Sequence, residues 1–499
     1  MLRTAFALLW LLLAASAAIA DPDPQAWEHY LRWEQDRVPE RFATIAEVDF
    51  GALPLHPRLP VPDAGKDLFV STQGKDANPG SFAAPLRTIH RALDKARPGG
   101  LIWVRGGSYT EGGSDDYQAL VIEKPGLTLS AYPGEQVTLL PGHAQITYGI
   151  SIQADQSWLN RLDIRGFATV AIELGNEKRA LTGTKLTHIA ITAPTGPGHD
   201  GVMSYVPRAD PGQSAIEGLL LEDVKFEGVS MAFGCNYGPC RSVRFNHVRA
   251  RCRRAESEDV DSGQDCIAFE SGDNLVFYRT HVDGAIADGL DLKATRVAVS
   301  HSSFTDIGRN GLKLWHGGDV INSLVSRTGA DAAIVFDGPG HYRLLNSLVA
   351  RHLDGAEGAY TLTMGYDQPQ GAYQLEIINS VFVQNSGPLW VPPQTRLSLL
   401  HNFWGAFASE ALLARGEDEL NRDQVERVMN HLPGCAANRL LPLDTVPVFA
   451  DVANHDYRPV SSLLQDQGQW QVDLPDRDLG GQPRVMGQAP DPGVFEGGI

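Results

Sequence analysis

Asp265, Asp288 and Asp291, followed one step later by Lys313, are the residues of this chain whose types and spacing are suited to chemistry. They fall in three short segments, Asp265-Cys266-Ile267-Ala268, Asp288-Gly289-Leu290-Asp291 and Asn310-Gly311-Leu312-Lys313, that repeat one pattern. Carboxylates gathered without a cation repel one another and hold a nearby lysine protonated. A bound divalent cation neutralises them and lets the lysine act as a base. Singly, an aspartate is a favoured corner residue and a lysine an ordinary exposed one. Their conjunction points to a combined calcium and general-base site, because calcium takes carboxylate oxygens at roughly 2.3–2.6 Å and can be shared between stacked side chains.

The elements that must position these residues follow from the spacing. Positions 265, 288, 310 and 331 stand 23, 22 and 21 residues apart, and similar steps begin at Asp200-Gly201-Val202-Met203 and Asp331-Ala332-Ala333-Ile334. A period in the low twenties, filled with short apolar runs such as Leu275-Val276-Phe277 and Val297-Ala298-Val299, is the mark of a parallel β-solenoid. The runs are too short for helices and too frequent for helix-linked strands. The fold expected is therefore all-β, a single-stranded parallel β-helix. Equivalent positions on neighbouring coils lie about 4.8 Å apart, which stacks Asp265 on Asp288 and sets Lys313 beside Asp291.

The ends of the chain differ from this core. Residues 1–20 carry Arg3, an apolar stretch from Ala5 to Leu13 and a small-residue end at Ala18-Ile19-Ala20, the pattern of a cleaved export signal; a secreted or periplasmic protein is expected. No second apolar run is long enough to span a bilayer. Residues 21–66 read as a helical arm over Pro24 to Val48 and a proline-rich linker, which would cap the exposed strand edge of the solenoid. Residues 67–404 form the β-helix. Residues 405–499 read as a helical excursion over Gly405 to Leu432, then a closing coil and tail in which Tyr457-Arg458-Pro459 is a strand.

The 499 residues, 43% of them hydrophobic, can bury a large core in one elongated domain, and a monomer is expected. The net charge of −18 disfavours a nucleic-acid partner. An acidic polymer is compatible with that charge only where bases or cations reverse the local sign. Cys235, Cys240, Cys252, Cys266 and Cys435 permit disulfides in an exported chain. Cys235 and Cys240 could close a small loop and Cys266 suits an inward wall position, while the full connectivity stays open.

The three segments, in the forms Gln264-Asp265-Cys266-Ile267-Ala268, Ala287-Asp288-Gly289-Leu290-Asp291-Leu292 and Gly308-Arg309-Asn310-Gly311-Leu312-Lys313-Leu314, resemble successive signatures of the family-nine polysaccharide lyases. Leu68 to Gly80, with Pro85-Leu86-Arg87-Thr88-Ile89 and Ile102 to Tyr109, is similar to the first coil of many exported β-helix proteins. The likeness is close over roughly Ser262 to Gly318 and extends at the level of fold over most of Leu68 to Phe403. It implies a right-handed helix, calcium held by Asp265, Asp288 and Asp291, and Lys313 removing the C5 proton of a uronate in an acidic polysaccharide. Where that family has a further aspartate, this chain has Ala287, for which Glu270 or Asp283 could compensate. Cleavage would be β-elimination with an alkaline optimum, because a lysine must be neutral to act. Arg279, Lys293, Arg309 and Arg343 are candidates to grip substrate carboxylates, with Trp315 and Tyr342 for sugar faces.

Two other chemistries fit the same fold. The stretch Ser262 to Gly272 also resembles the central segment of the polygalacturonases, which need paired carboxylates, but no glycine-histidine-glycine or arginine-x-lysine segment follows it. A uronan epimerase or alginate lyase would draw on His199-Asp200 or His455-Asp456. A non-catalytic β-helix that binds polysaccharide is the remaining reading, since fold does not fix function.

Overall fold

A computed structural model describes residues 55–497 apart from 114–115, 176–179, 197, 205–214, 255–263, 330, 353–358, 406, 425–427, 433, 443–447, 453–455 and 472–473. The export signal, the helical arm and His455 lie outside the described residues.

The chain winds as a parallel β-helix. Two sheets, of 25 and 13 strands among the described residues, run its length with parallel pairing from coil to coil. The larger sheet is two faces joined by two long strands, Ile267–Tyr278 and Leu290–Ser300, which run through the bend that other coils break at. The bend survives in them as a register shift between Phe269 and Gly272. These are the coils that carry the aspartates.

The interior is a continuous apolar column with aromatic rings stacked between coils. Phe233 lies on Phe269 at 5.0 Å and Phe245 on Phe277 at 4.8 Å, directly inside the aspartate-bearing wall. Their packing fixes the wall that the polar residues stand on.

One corner repeats along the helix and explains its regularity. At the end of the strands of one face stands a residue with positive φ: Arg279, His301, Asn322, Asn346, Asn379, His401 and Ala437. The next residue is Thr, Ser or Asn, and from Ser302 on its side chain accepts the backbone N–H of the equivalent residue one coil earlier: Thr280 to Ser302, Ser302 to Ser323, Ser323 to Ser347 and Ser347 to Ser380, each near 3.1–3.2 Å. Asn402 and Asn438 extend the ladder. A buried N–H that the turn would orphan is thus satisfied by the neighbouring coil.

The first coils are closed by a short helix, Ile89–Lys95. Thr88 caps it by accepting from Arg91, and Glu111 accepts from the Ile89 and His90 amides at 2.7 and 3.2 Å. At the other end the expected helical excursion over 405–432 is corrected. Its described residues form the antiparallel pair Ala411–Arg415 and Asp418–Asn421, with two single-turn 3-10 helices at Arg422–Gln424 and Met429–His431. Gly416 at the hairpin turn has φ +64, and burial of Ala411 to Ala414 in the first strand outweighs the helical character of the segment. Asp456–Pro459 is a strand, as expected.

The tail then doubles back along the corner. The Arg477 carbonyl accepts from His301 Nε2 and Asn322 Nδ2, and Asn379 exchanges bonds with the Gln469 backbone at 2.8 and 2.7 Å. Arg484 is buried against the Asp491 carbonyl and Glu496. Two disulfides join Cys235 to Cys240 and Cys252 to Cys266, so Cys266 is inward as expected but bonded, and Cys435 is a buried free thiol.

Candidate active site

The aspartates stand where the strands of the site face begin, and the same residues build the corner and the site. Asp265 Oδ1 accepts the Asp288 amide at 2.9 Å. Asp288 Oδ1 accepts the Asn310 amide at 3.1 Å and its Nδ2 at 2.9 Å, and Asn310 Oδ1 accepts the Ala332 amide at 3.2 Å. The glycine after Asp288 is needed for close approach: a Cβ on Gly289 would stand 2.6 Å from the Gly311 carbonyl oxygen. The corner reading of the pattern is therefore borne out by the hydrogen bonds themselves. The ladder bonds use one oxygen of each carboxylate and leave the second for a ligand.

Asp291 follows Asp288 around the corner onto the wall, and strand pairing sets it between Ala268 and Lys313. One oxygen from each of Asp265, Asp288 and Asp291 lies within 4.8 Å of the others. Burial, reinforced by the charges of Asp288 and Asp291, pushes Asp265 up to about 7; burial pushes Asp291 up to about 6, with Lys313 acting against it. Such a cluster of oxygen donors suits a hard divalent cation, which would supply the charge the carboxylates lack. Three side chains leave room for water or a substrate carboxylate in a shell of six to eight oxygens.

Trp315 organises the positive side. Its indole N–H donates to Asp291 Oδ1 at 2.7 Å, and its ring lies 4.7 Å from the Lys313 ammonium and 5.5 Å from that of Lys293. The ring expected to face sugar is thus occupied by two cations. Lys293 is also paired with Glu270 at 2.5 Å. Arg309 bridges Asp331 at 3.0 Å and approaches Asp288 to 3.9 Å. Neither proposed compensator for Ala287 joins the cluster: Glu270 holds Lys293, and Asp283 pairs with Arg251 and Arg254.

Three predicted substrate contacts lie elsewhere. Arg279 is the positive-φ residue at the far end of Ile267–Tyr278, bonded to His247. Tyr342 is fully buried, stacked on Phe336 at 4.5 Å, and its hydroxyl is spent on the Gly338 carbonyl. Arg343 is buried in an ion pair with Asp319 on a different face from Lys313. Asp331 is also one position out of the predicted register, because Leu312 pairs with Ile334 and so places Asp331 opposite Arg309. Asp200, with His199 beside it, is raised to about 6 by burial, while Asp456 is held by Arg458.

Beside Lys313 opens a cleft of about 490 Å³ that the sequence reading did not anticipate, lined by Asp337, Tyr360, Thr363, Tyr366 and Asp367 as well as Arg309. These residues come from three successive coils and the turns beside them and follow no shared spacing, so no pattern flagged them.

The fold is a parallel β-helix whose wall carries three clustered carboxylates beside a lysine. Residues 72–157 match the family described as "Protein of unknown function (DUF1565)". A segment of 80 residues is 36% identical to pectate lyase PEL9 of Emericella nidulans, covering 15% of this chain and only about a fifth, 20%, of that protein. Among solved structures, pectate lyase Pel9A is similar over 88% of this chain and all of its own, at 13% identity and a TM-score of 0.41. The alginate lyase AlyGC of family PL6 is similar over 70% of this chain and 53% of its own, at 14% identity and a TM-score of 0.35. Among the described residues, no helix is long and apolar enough to cross a membrane.

Proposed function

We propose that the protein is an exported polysaccharide lyase that cleaves a uronate-containing polymer by β-elimination, with Asp265, Asp288 and Asp291 holding calcium and Lys313 as base. The observation that carries this reading is the pairing of Asp291 with Lys313 on adjacent coils, at the edge of a three-carboxylate cluster. When bound, calcium would tie the substrate carboxylate to the protein and acidify the proton at C5. Lys313, fixed by the Trp315 ring, takes that proton, and the glycosidic oxygen at C4 departs to leave a 4,5 double bond. Trp315 holds Asp291 with its N–H while its ring steadies the lysine, so one side chain sets the distance between ligand and base.

Hydrolysis is the weaker reading. Inverting glycosidases space their carboxyls about 6.5–9.5 Å apart to leave room for a water, whereas one oxygen from each carboxylate of this cluster lies within 4.8 Å of the others. The test is the ultraviolet absorbance of unsaturated uronate on polygalacturonate, alginate and glucuronate polymers, with calcium and with chelator. Calcium-dependent absorbance supports the lyase; new reducing ends without absorbance would replace it with a hydrolase.

A further inference from the structure

We propose that residues 21–54 dock along the outer wall of the larger sheet, on the face that carries Leu220, Arg244 and Val276, and so sheathe the side of the coils rather than cap their end. By strand register, the outward column of that face runs Leu220, Arg244, Val276, Ala298, Asp319, Arg343. A wall with one face open to water alternates buried and wet side chains. Residues 219–222, 275–278, 297–300, 318–321 and 342–345 are instead buried on both sides. Alternation returns at the next coil, in Tyr373–Ile378, where Glu376 continues the column.

The buried stretch needs an apolar cover. Leu220, Val276 and Ala298 are 0, 3 and 1% exposed. Among the described residues they join neither the interior column nor any other apolar cluster. The apolar residues of the tail, Tyr457, Leu464 and Val494, pack instead with Leu324, Leu348 and Val381 of the smaller sheet.

The occupant follows from where the described chain begins. Leu59 packs with Trp103, Tyr132 and Trp158 on the earlier coils of the same wall. Three residues before it, the His56 amide donates to Glu222 Oε2 at 3.0 Å and its ring meets Oε1 at 3.1 Å. Trp158 and Glu222 stand two coils apart. Traced backwards, the chain therefore climbs this wall toward Val276 and Arg343. Five coil steps separate Leu220 from Arg343, about 24 Å. The residues from Trp27 to Ile45 would cover about 27 Å as helix. Trp27, Tyr30, Leu31, Val38, Phe42 and Ile45 fall on one helical stripe, and Pro39, off that stripe, would divide it into two short helices. The acid within the stripe is Glu34, which matches a column whose charges, Arg244, Asp319 and Arg343, leave one positive in excess.

The test uses the full chain and two readouts. Hydrogen exchange should find the amides of residues 27–45 at least about tenfold slower than in an open chain. A photoreactive phenylalanine analogue in place of Tyr30 should cross-link, within one molecule, to peptides of the 276–343 wall. Leu31→Asp, a change confined to the docking segment, should abolish the protection with the circular dichroism of the coils retained, and Val276→Asp should do the same from the side of the wall. Cross-links between molecules would give the wall to a second copy, and cross-links to Leu68–Val70 would return the segment to the end of the solenoid. Either of these, or exchange as fast as in an open chain, overturns the proposal. Neither readout involves turnover, so the result is independent of the lyase reading.

Discussion

Asp288 both stitches two coils together and faces the proposed ion, and an isosteric change can separate the two roles. Asparagine keeps the Oδ1 that accepts from Asn310 but removes the charge. Asp288→Asn should therefore fold as well as the parent in chelator, or better because repulsion with Asp265 and Asp291 is relieved. Its calcium requirement should rise by at least about tenfold. Asp288→Ala should lose stability as well; equal thermal midpoints for the two variants would separate Asp288 from the ladder. Lys313→Ala should lower turnover by about 10²–10⁴-fold with an unchanged circular dichroism spectrum. Trp315→Phe keeps a ring under the ammonium but drops the bond to Asp291, so it should shift the pH–rate profile, which a purely structural role would leave in place. At this scale the aspartates and Lys313 were legible because the coil repeats them at nearly constant spacing. Asp331 was misplaced by one position because the step to its coil is a residue longer than the period suggested, and the cleft was invisible because Thr363, Tyr366 and Asp367 share no period at all.

Strands and corners carry the next level of specification. The Thr/Ser/Asn ladder predicts that Ser323→Ala, which orphans the Ser302 amide, costs about 1–3 kcal/mol in urea unfolding. Phe269→Ala, which empties the ring stack behind the aspartates, should cost about 3–5 kcal/mol and loosen calcium binding with it. Short apolar runs made the strands readable, since one face of each must be buried. The corners were harder: left-handed positions are filled by Arg279 and His301 as well as by asparagine, and an arginine in such a position looks like a substrate contact until the turn is seen. Tyr342 was misread because its strand is buried throughout its latter part, so alternation does not reveal which way a ring points. The C-terminal hairpin was hidden by helix-forming residues whose burial against the last coils decided their conformation.

For the whole molecule, the histidines set a pH dependence. Burial depresses His301 to about 3 and His281 to about 4, from 6.5 in the open chain. Between these values the unfolded chain binds protons that the fold refuses, so their contribution is complete above about 6.5 and is lost as pH falls. At pH 5 each should cost about 2 kcal/mol. Asp265, Asp291 and Glu496, raised by burial, pull the opposite way, so the effect is read as a difference. From pH 7 to 5, the urea stability of the parent should fall by about 2 kcal/mol more than that of His301→Gln; parallel curves would exclude it. His301 matters beyond its own coil because its ring holds the returning tail. A stack of coils touching only their neighbours can fray one rung at a time, but a strap fastened at His301, Asn322 and Asn379 works as a splint across the rungs between them. None of these rungs can peel away without breaking the others' fastening, so heat should release them as one block, and a single protease cut in the strap should set them free to fray in turn.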